Sequence, residues 1–261
     1  YTLGTPEYVL GDLYATYKDI ILPYILSGKR VLSFVRSTSE NTQITPIALV
    51  TLVNPVRAEA KETFTYFASQ GVNIKVISGD NPVTVSEVAR RAVEAGADIV
   101  NDISGGEMDP EMFSAVADMH VPYILMHMQG TPRDMQKAPH YDNLMCEVFR
   151  SLGERVELLH EMGVADVILD PGFGFGKTME QNYEMMARLG EFRLLDCPIL
   201  AGVSRKSMVY RLLDTTPEES LNGTTVLNTI ALMNGASILR VHDVKEAVEA
   251  VKIYRQCLIS E

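Results

Sequence analysis

Residues 98–241 repeat one pattern, and that pattern limits the fold more than anything else in the chain. A short apolar run is followed by polar residues and then by a segment with helical spacing. The apolar runs fall at 98–100, 123–126, 167–169, 199–203 and 237–241. Between them, residues 110–119, 143–162, 182–189 and 217–233 carry helical periodicity. Near-continuous apolar strands are buried on both faces, and alternation with helices predicts a parallel sheet covered by helices. The fold class read from this is α/β.

The first hundred residues have a different rhythm. Residues 12–26 predict a helix. Residues 30–36 (RVLSFVR) and 46–53 (PIALVTLV) predict two strands around a polar loop, an antiparallel hairpin. The link at 37–45 is too short for the helical crossover that parallel strands need. A helix over 57–70 stops at Gly71, a strand occupies 74–77, and a helix over 83–95 stops at Gly96. Adding these three strands to the later five makes eight. The hairpin nevertheless argues against a closed barrel of parallel strands.

The residues after the later strands carry the chemistry. The first strand leads into Asn101 and Asp102, the second into His127, the third into Asp170. The fourth leads into Ser204, Arg205 and Lys206, and the fifth carries Arg240 and His242. Polar residues after strands also serve as turn formers and caps, and Asn101-Asp102 reads either way. Turns do not need long cations, so Lys206, Arg240 and His242 point to an anionic ligand. The stretch 170–178 (DPGFGFGKT) approaches a phosphate-binding loop but has Pro171 where the first glycine belongs, and proline offers no backbone N–H. Asp170 remains a carboxylate beside a glycine loop, suited to the N–H edge of an amidine-like ring. His127 reads as a hydrogen-bonded core histidine, and the 13 methionines read as core filler.

Charge and cysteine content exclude some functions. A formal net charge of -11 over 261 residues discourages nucleic acid and anionic membrane as partners. Three scattered cysteines (Cys146, Cys197, Cys257) fit a reducing cytoplasm better than a disulfide framework. No apolar run reaches the roughly 20 residues of a membrane span, and no signal-like core opens the chain.

Five blocks, in order, resemble dihydropteroate synthase: NDISGG at 101–106, LMHMQG at 125–130, DPGFGFGK at 170–177, GVSRKSM at 202–208 and RVHDVK at 240–245. The likeness covers about 88–261. It implies a TIM barrel that joins p-aminobenzoate to 6-hydroxymethyl-7,8-dihydropterin pyrophosphate, expels pyrophosphate, uses Mg2+, is inhibited by sulfonamides and forms a homodimer. It further implies that Asn101, Asp170 and Lys206 bind the pterin, with Met126 and Phe175 lining its pocket. Arg240 and His242 would hold pyrophosphate, and Lys206 and Ser207 would border the p-aminobenzoate pocket. Lys206, Arg240 and His242 would thus be the catalytic residues. The family's N-V-T-P-D-S-F and G-G-E-S-T-R-P segments are not found, and Asp80 is only an approximate match to its third-strand D-T pair.

Residues 1–92 resemble a cation-transporting P-type ATPase instead, through LGTPE at 3–7, GKRVLSFV at 28–35, PIALVTLVNPVRAEAKE at 46–62 and GVNIKVISGDNPVTVSEVARRA at 71–92. They match the end of its nucleotide domain and the start of its phosphorylation domain. The D-K-T-G phosphoacceptor is absent, so the nucleophile for that ATPase chemistry and an ion-pump function are excluded. The expectation is two domains, 1–92 and 93–261. The first is an α/β ATPase-like segment, the second an incomplete or rebuilt TIM (β/α) barrel. The function expected is an impaired synthase, with a non-catalytic chimera or weak pterin binder as the alternative.

Overall fold

The computed structural model describes residues 1–26, 30–37, 44–52, 75–77, 85–132, 135 and 138–259. Asp80 and the helix expected over 57–70 lie outside these residues. The chain divides into two compact units, Tyr1–Ile74 with Ser78–Ala97, and Lys75–Ile77 with Asp98–Glu261.

In the first unit, β1 (Thr2–Gly4), β2 (Arg30–Ser37) and β3 (Ile44–Leu52) form an antiparallel sheet in the order β1-β2-β3. The hairpin expected from the sequence is therefore present. Its register slips between Phe34, opposite Ala48, and Val35, opposite Pro46. Pro46 cannot donate to a ladder, so an irregularity on a strand at the sheet margin accommodates it. Val31 and Val35 are buried together with Val9 and Leu10 of α1 (Pro6–Leu10) and Ile21 of α2 (Tyr14–Leu26). The two-residue period of the strand puts both valines on that face. β1 was not legible in sequence, because three residues become a strand only through pairing with β2. Helix α3 (Val85–Glu94) ends as expected: Gly96 takes φ +104 and Ala97 N–H reaches back to Ala92 O at 2.9 Å.

The second unit holds the parallel strands. β4 (Lys75–Ile77), β5 (Ile99–Asp102), β6 (Tyr123–Met126) and β7 (Val167–Asp170) pair in sequence order. β8 (Leu200–Ala201) pairs with β9 (Ile238–Leu239), and a parallel bridge from Leu169 to Ile199 joins the two groups. Helices intervene: α4 (Met112–Met119), α5 (Leu144–Glu161), α6 (Met179–Ala187), α7 (Ser207–Tyr210) and α8 (Leu221–Met233), with α9 (Val244–Ile259) closing the chain. Leu144, Met145, Val148, Leu152, Val156 and Leu159 bury the inner face of α5 at helical spacing.

Alternate strand residues form a layer: Ile124, Ile168 and Leu200 pack with Ile99 and Ile238, one residue from each of five strands. Because side chains alternate along a strand, the residues two further on face the same way. Those residues are Asn101, Met126, Asp170, Gly202 and Arg240. An apolar layer thus supports a layer carrying an amide, a carboxylate and a guanidinium. Among the described residues, no helix is long and apolar enough to cross a membrane.

Candidate active site

Asp170 ends β7 and is buried, with Oδ1 accepting the Gly172 N–H at 2.9 Å. Burial raises its pKa, and the charges of Lys206, Lys177 and Arg240 together with the Gly172 N–H oppose that shift. One carboxylate and three cations from β7, β8 and β9 and their loops therefore share one electrostatic environment. Lys206 donates to Phe173 O and stands 4.7 Å from the centroid of the Phe175 ring. Burial lowers its pKa to about 8 against the pull of Asp170, with Arg240 adding to the lowering. An ammonium over an aromatic face gains from the ring quadrupole.

The glycine loop is shaped by close approaches. Gly172 has φ +74, and a Cβ there would overlap the carbonyl oxygen of His127. Asn182 on α6 accepts Gly174 N–H at 2.7 Å and donates to Thr178 O at 2.6 Å, tying the loop to the helix behind it. That helix begins at Met179, three residues earlier than its apolar spacing suggests. Thr178 accepts from Gln181 N–H while the Gln181 side chain accepts from Thr178 N–H, a reciprocal cap.

Lys177 is the residue that sequence reasoning passed over. It is buried, and Nζ lies 3.1 Å from His127 Nδ1, 3.1 Å from Gly172 O and 3.0 Å from Phe175 O. Three acceptors match the three donors of an ammonium. Burial nevertheless lowers its pKa to about 7, with Lys206 acting the same way and Asp170 against it. Its signal was in the DPGFGFGK block, where it was compared only with a phosphate-loop lysine. His127 is buried as expected, and burial with the nearby charges of Lys177 and Arg155 lowers its pKa to about 2.

Asn101 and Asp102, inseparable by sequence, take different roles. Asp102 accepts from Ser104 N–H (2.8 Å), Ser104 Oγ (2.7 Å), Gly106 N–H (2.7 Å) and Tyr123 Oη (2.8 Å), so it builds the turn after β5. Asn101 is buried, and its Oδ1 has no hydrogen-bond partner among the described residues. An unpaired buried acceptor costs about 1–3 kcal/mol, a strain that a donor-bearing ligand relieves. Met126 is buried in the same layer, Phe175 and Ser207 are half-buried, and Arg240 and His242 are exposed. Arg205 is turned away from this group into a bidentate pair with Asp243. Separately, a polar cavity of about 390 Å³ opens between the loop after β6 and α5, lined by residues including His127, Gln129, Tyr141 and Arg150.

Residues 80–242 match the pterin binding enzyme family. The chain belongs to the pterin-binding enzyme family. Dihydropteroate synthase of Escherichia coli strain K12 is 45% identical over 174 residues, which are 66% of this chain and 61% of that enzyme. The chain thus spans less than two thirds of that relative's length. The crystal structure of Yersinia pestis dihydropteroate synthase in a sulfonamide drug complex is similar, with TM-score 0.71 and 37% identity, over 77% of this chain and 73% of that one. The Xanthomonas albilineans synthase in complex with 7,8-dihydropteroate has TM-score 0.67 and 34% identity, over 76% and 74% of the two chains. The family's fold is accordingly TIM-barrel-like, consistent with the parallel strand succession β4–β9.

The Mg2+ that the resemblance implies has no all-protein cage among the described residues. Among them no group of three or more His, Cys, Asp or Glu side chains could hold a metal. Asp170, the carboxylate of the strand-end layer, is instead surrounded by the cations Lys206, Lys177 and Arg240.

Proposed function

We propose that the chain binds the pterin of a dihydropteroate-synthase-type reaction and carries out the condensation weakly or not at all. The single observation that carries this is the strand-end layer, with buried Asp170 beside Lys206 and Arg240, and with Asn101 Oδ1 lacking a partner among the described residues. A pterin presents N–H donors along its pyrimidine edge and carbonyl and ring-nitrogen acceptors elsewhere. Asp170 and Asn101 Oδ1 accept from the former, Lys206 donates to the latter, and Met126 and Phe175 cover the ring faces. Ser207 and Lys206 border the p-aminobenzoate position. In the reaction, the pterin methylene C–O bond breaks, pyrophosphate leaves with the bonding pair, and the arylamine nitrogen forms the new C–N bond and releases a proton. Arg240 and His242 would meet the charge that develops on the leaving group.

The proposed low activity is supported by the N-terminal region. β2 and β3 are antiparallel, which does not reproduce two parallel barrel strands and their loops. We further propose that residues 1–92 derive from a P-type ATPase and 93–261 from a synthase, joined near 86–93, and that the protein acts in the cytoplasm without nucleic-acid or membrane partners. The second reading, a pterin-binding chimera without catalysis, rests on the same antiparallel sheet. Calorimetric titration with a pterin, beside a pyrophosphate-release assay, tests both. The expected result is measurable pterin binding that Asp170→Asn weakens about 10- to 100-fold, as for a hydrogen bond to a charged group. Absence of binding in the unmodified chain would sink the pterin reading, and robust turnover abolished by Asp170→Asn would sink the claim of impairment.

A further inference from the structure

Two adjacent residues after β8 grip two adjacent residues after β9. Ser204 Oγ lies 3.2 Å from His242 N, accepting its N–H, and 3.0 Å from His242 Nδ1. Arg205 donates to both oxygens of Asp243, from Nε at 3.0 Å and from Nη2 at 2.7 Å. Its remaining Nη1 reaches Pro217 O and Glu218 O, each at 2.9 Å, and its backbone N–H donates to Thr224 Oγ1 on α8 at 3.1 Å. Arg205 is held at φ +54, a left-handed conformation that a non-glycine residue adopts only when its surroundings enforce it. Five hydrogen bonds enforce it here.

From this geometry we infer that Ser204–Arg205 and His242–Asp243 form a positioning clamp that presents the Nε2–H of His242 to an anionic group at the ends of β8 and β9. Ser204 has one hydroxyl proton. In the inferred arrangement its oxygen accepts the His242 backbone N–H and its proton goes to Nδ1, which puts the ring proton of the neutral imidazole on Nε2. The bidentate Arg205–Asp243 pair fixes the backbone on either side, because Lys206 follows Arg205 and His242 precedes Asp243. A guanidinium fork resists rotation in a way a single-point contact does not. The clamp's own geometry is independent of ligand. Assigning its anion to the pyrophosphate end of the substrate rests on the function proposed above.

The test has arms that separate the two. In the ligand-free protein, long-range 15N correlation of the His242 ring in alkaline buffer should show the Nε2–H tautomer. In Ser204→Ala it should become a mixture of tautomers, and in Arg205→Met the His242 signals should broaden or shift while those of His120 and His160 stay. An Nδ1–H tautomer in the unmodified chain, or His242 signals indifferent to Arg205→Met, overturns the clamp. In the second arm inorganic pyrophosphate is titrated. Arg205→Met and Asp243→Asn should each weaken it about tenfold, and the double variant should be no weaker than either, since the pair acts as a unit. Additive losses, or no pyrophosphate binding by the unmodified chain, also overturn it. Should either of these variants fail to fold by circular dichroism, Ser204→Ala carries both arms, with the same tautomer mixture and a loss of pyrophosphate affinity expected. A pterin titration of the unmodified chain runs alongside. If the unmodified chain binds pyrophosphate and not pterin, the pterin reading fails and the clamp stands.

Discussion

His127 shows how a single residue can dominate the response to acid. Its folded pKa of about 2 lies below the ordinary 6.5, because burial and the charges of Lys177 and Arg155 disfavour the imidazolium. The unfolded chain therefore binds a proton that the folded chain refuses at any pH between those values. The stabilisation is present above 6.5 and is lost as pH falls. From this residue alone about 2 kcal/mol should disappear between pH 6.5 and 5. Denaturant melts over that range should be steeper in pH for the unmodified chain than for His127→Gln. Equal slopes would show that His127 is not buried neutral. At the same scale, Asp102 and Asn101 separate only in the structure. One spends its oxygens on the Ser104–Gly106 turn and on Tyr123, while the Oδ1 of the other has no partner among the described residues.

The loop from Asp170 to Thr178 owes its shape to contacts on both sides. Gly172 lies against the His127 carbonyl, Gly176 against Gln129, and Lys177 bonds back to Gly172 and Phe175. Gly172→Ala adds both a disfavoured positive φ and a steric overlap with backbone, which cannot swing aside. It should cost at least about 2 kcal/mol and abolish pterin binding. Thr178→Ala removes one side of the reciprocal cap and should cost about 1 kcal/mol while leaving the loop's glycines in place. Thermal melts and pterin titrations of the two variants check this. A Gly172→Ala protein with the original melting temperature and affinity would show that the loop is not held in this form. The late start expected for α6 and the omission of α9 have local causes. The first ignored the Thr178 cap. The second concerns a helix that buries the small residues Ala247 and Ala250 and exposes Val244, Val248 and Ile253.

At the scale of the molecule, α8 exposes Val226, Ile230 and Met233, spaced to form one apolar stripe. The homodimer that the family resemblance implies predicts that this stripe meets a second copy. Sedimentation should show a dimer that Ile230→Glu converts to monomer with its fold retained. A monomeric unmodified chain at micromolar concentration would exclude this surface as the interface. Turnover belongs to this scale too. On the proposed reading, a pyrophosphate-release rate at least about 10²–10³ below that of the synthase relatives is expected.

The alternation of near-continuous apolar runs with helical segments over residues 98–241 was enough to indicate parallel strands, helices between them, and a polar group after each strand. A short polar link was enough to make residues 30–52 an antiparallel hairpin. These features are local, since side-chain alternation and loop length act over a few residues. Only the tertiary structure decided that Asn101, Met126, Asp170 and Arg240 share one layer, because that depends on the register between strands far apart in the chain. It alone showed Lys177 buried against His127 and Arg205 drawn to Asp243. Those contacts join residues 50 and 38 positions apart, and no periodicity along the chain encodes which distant partner satisfies a buried charge.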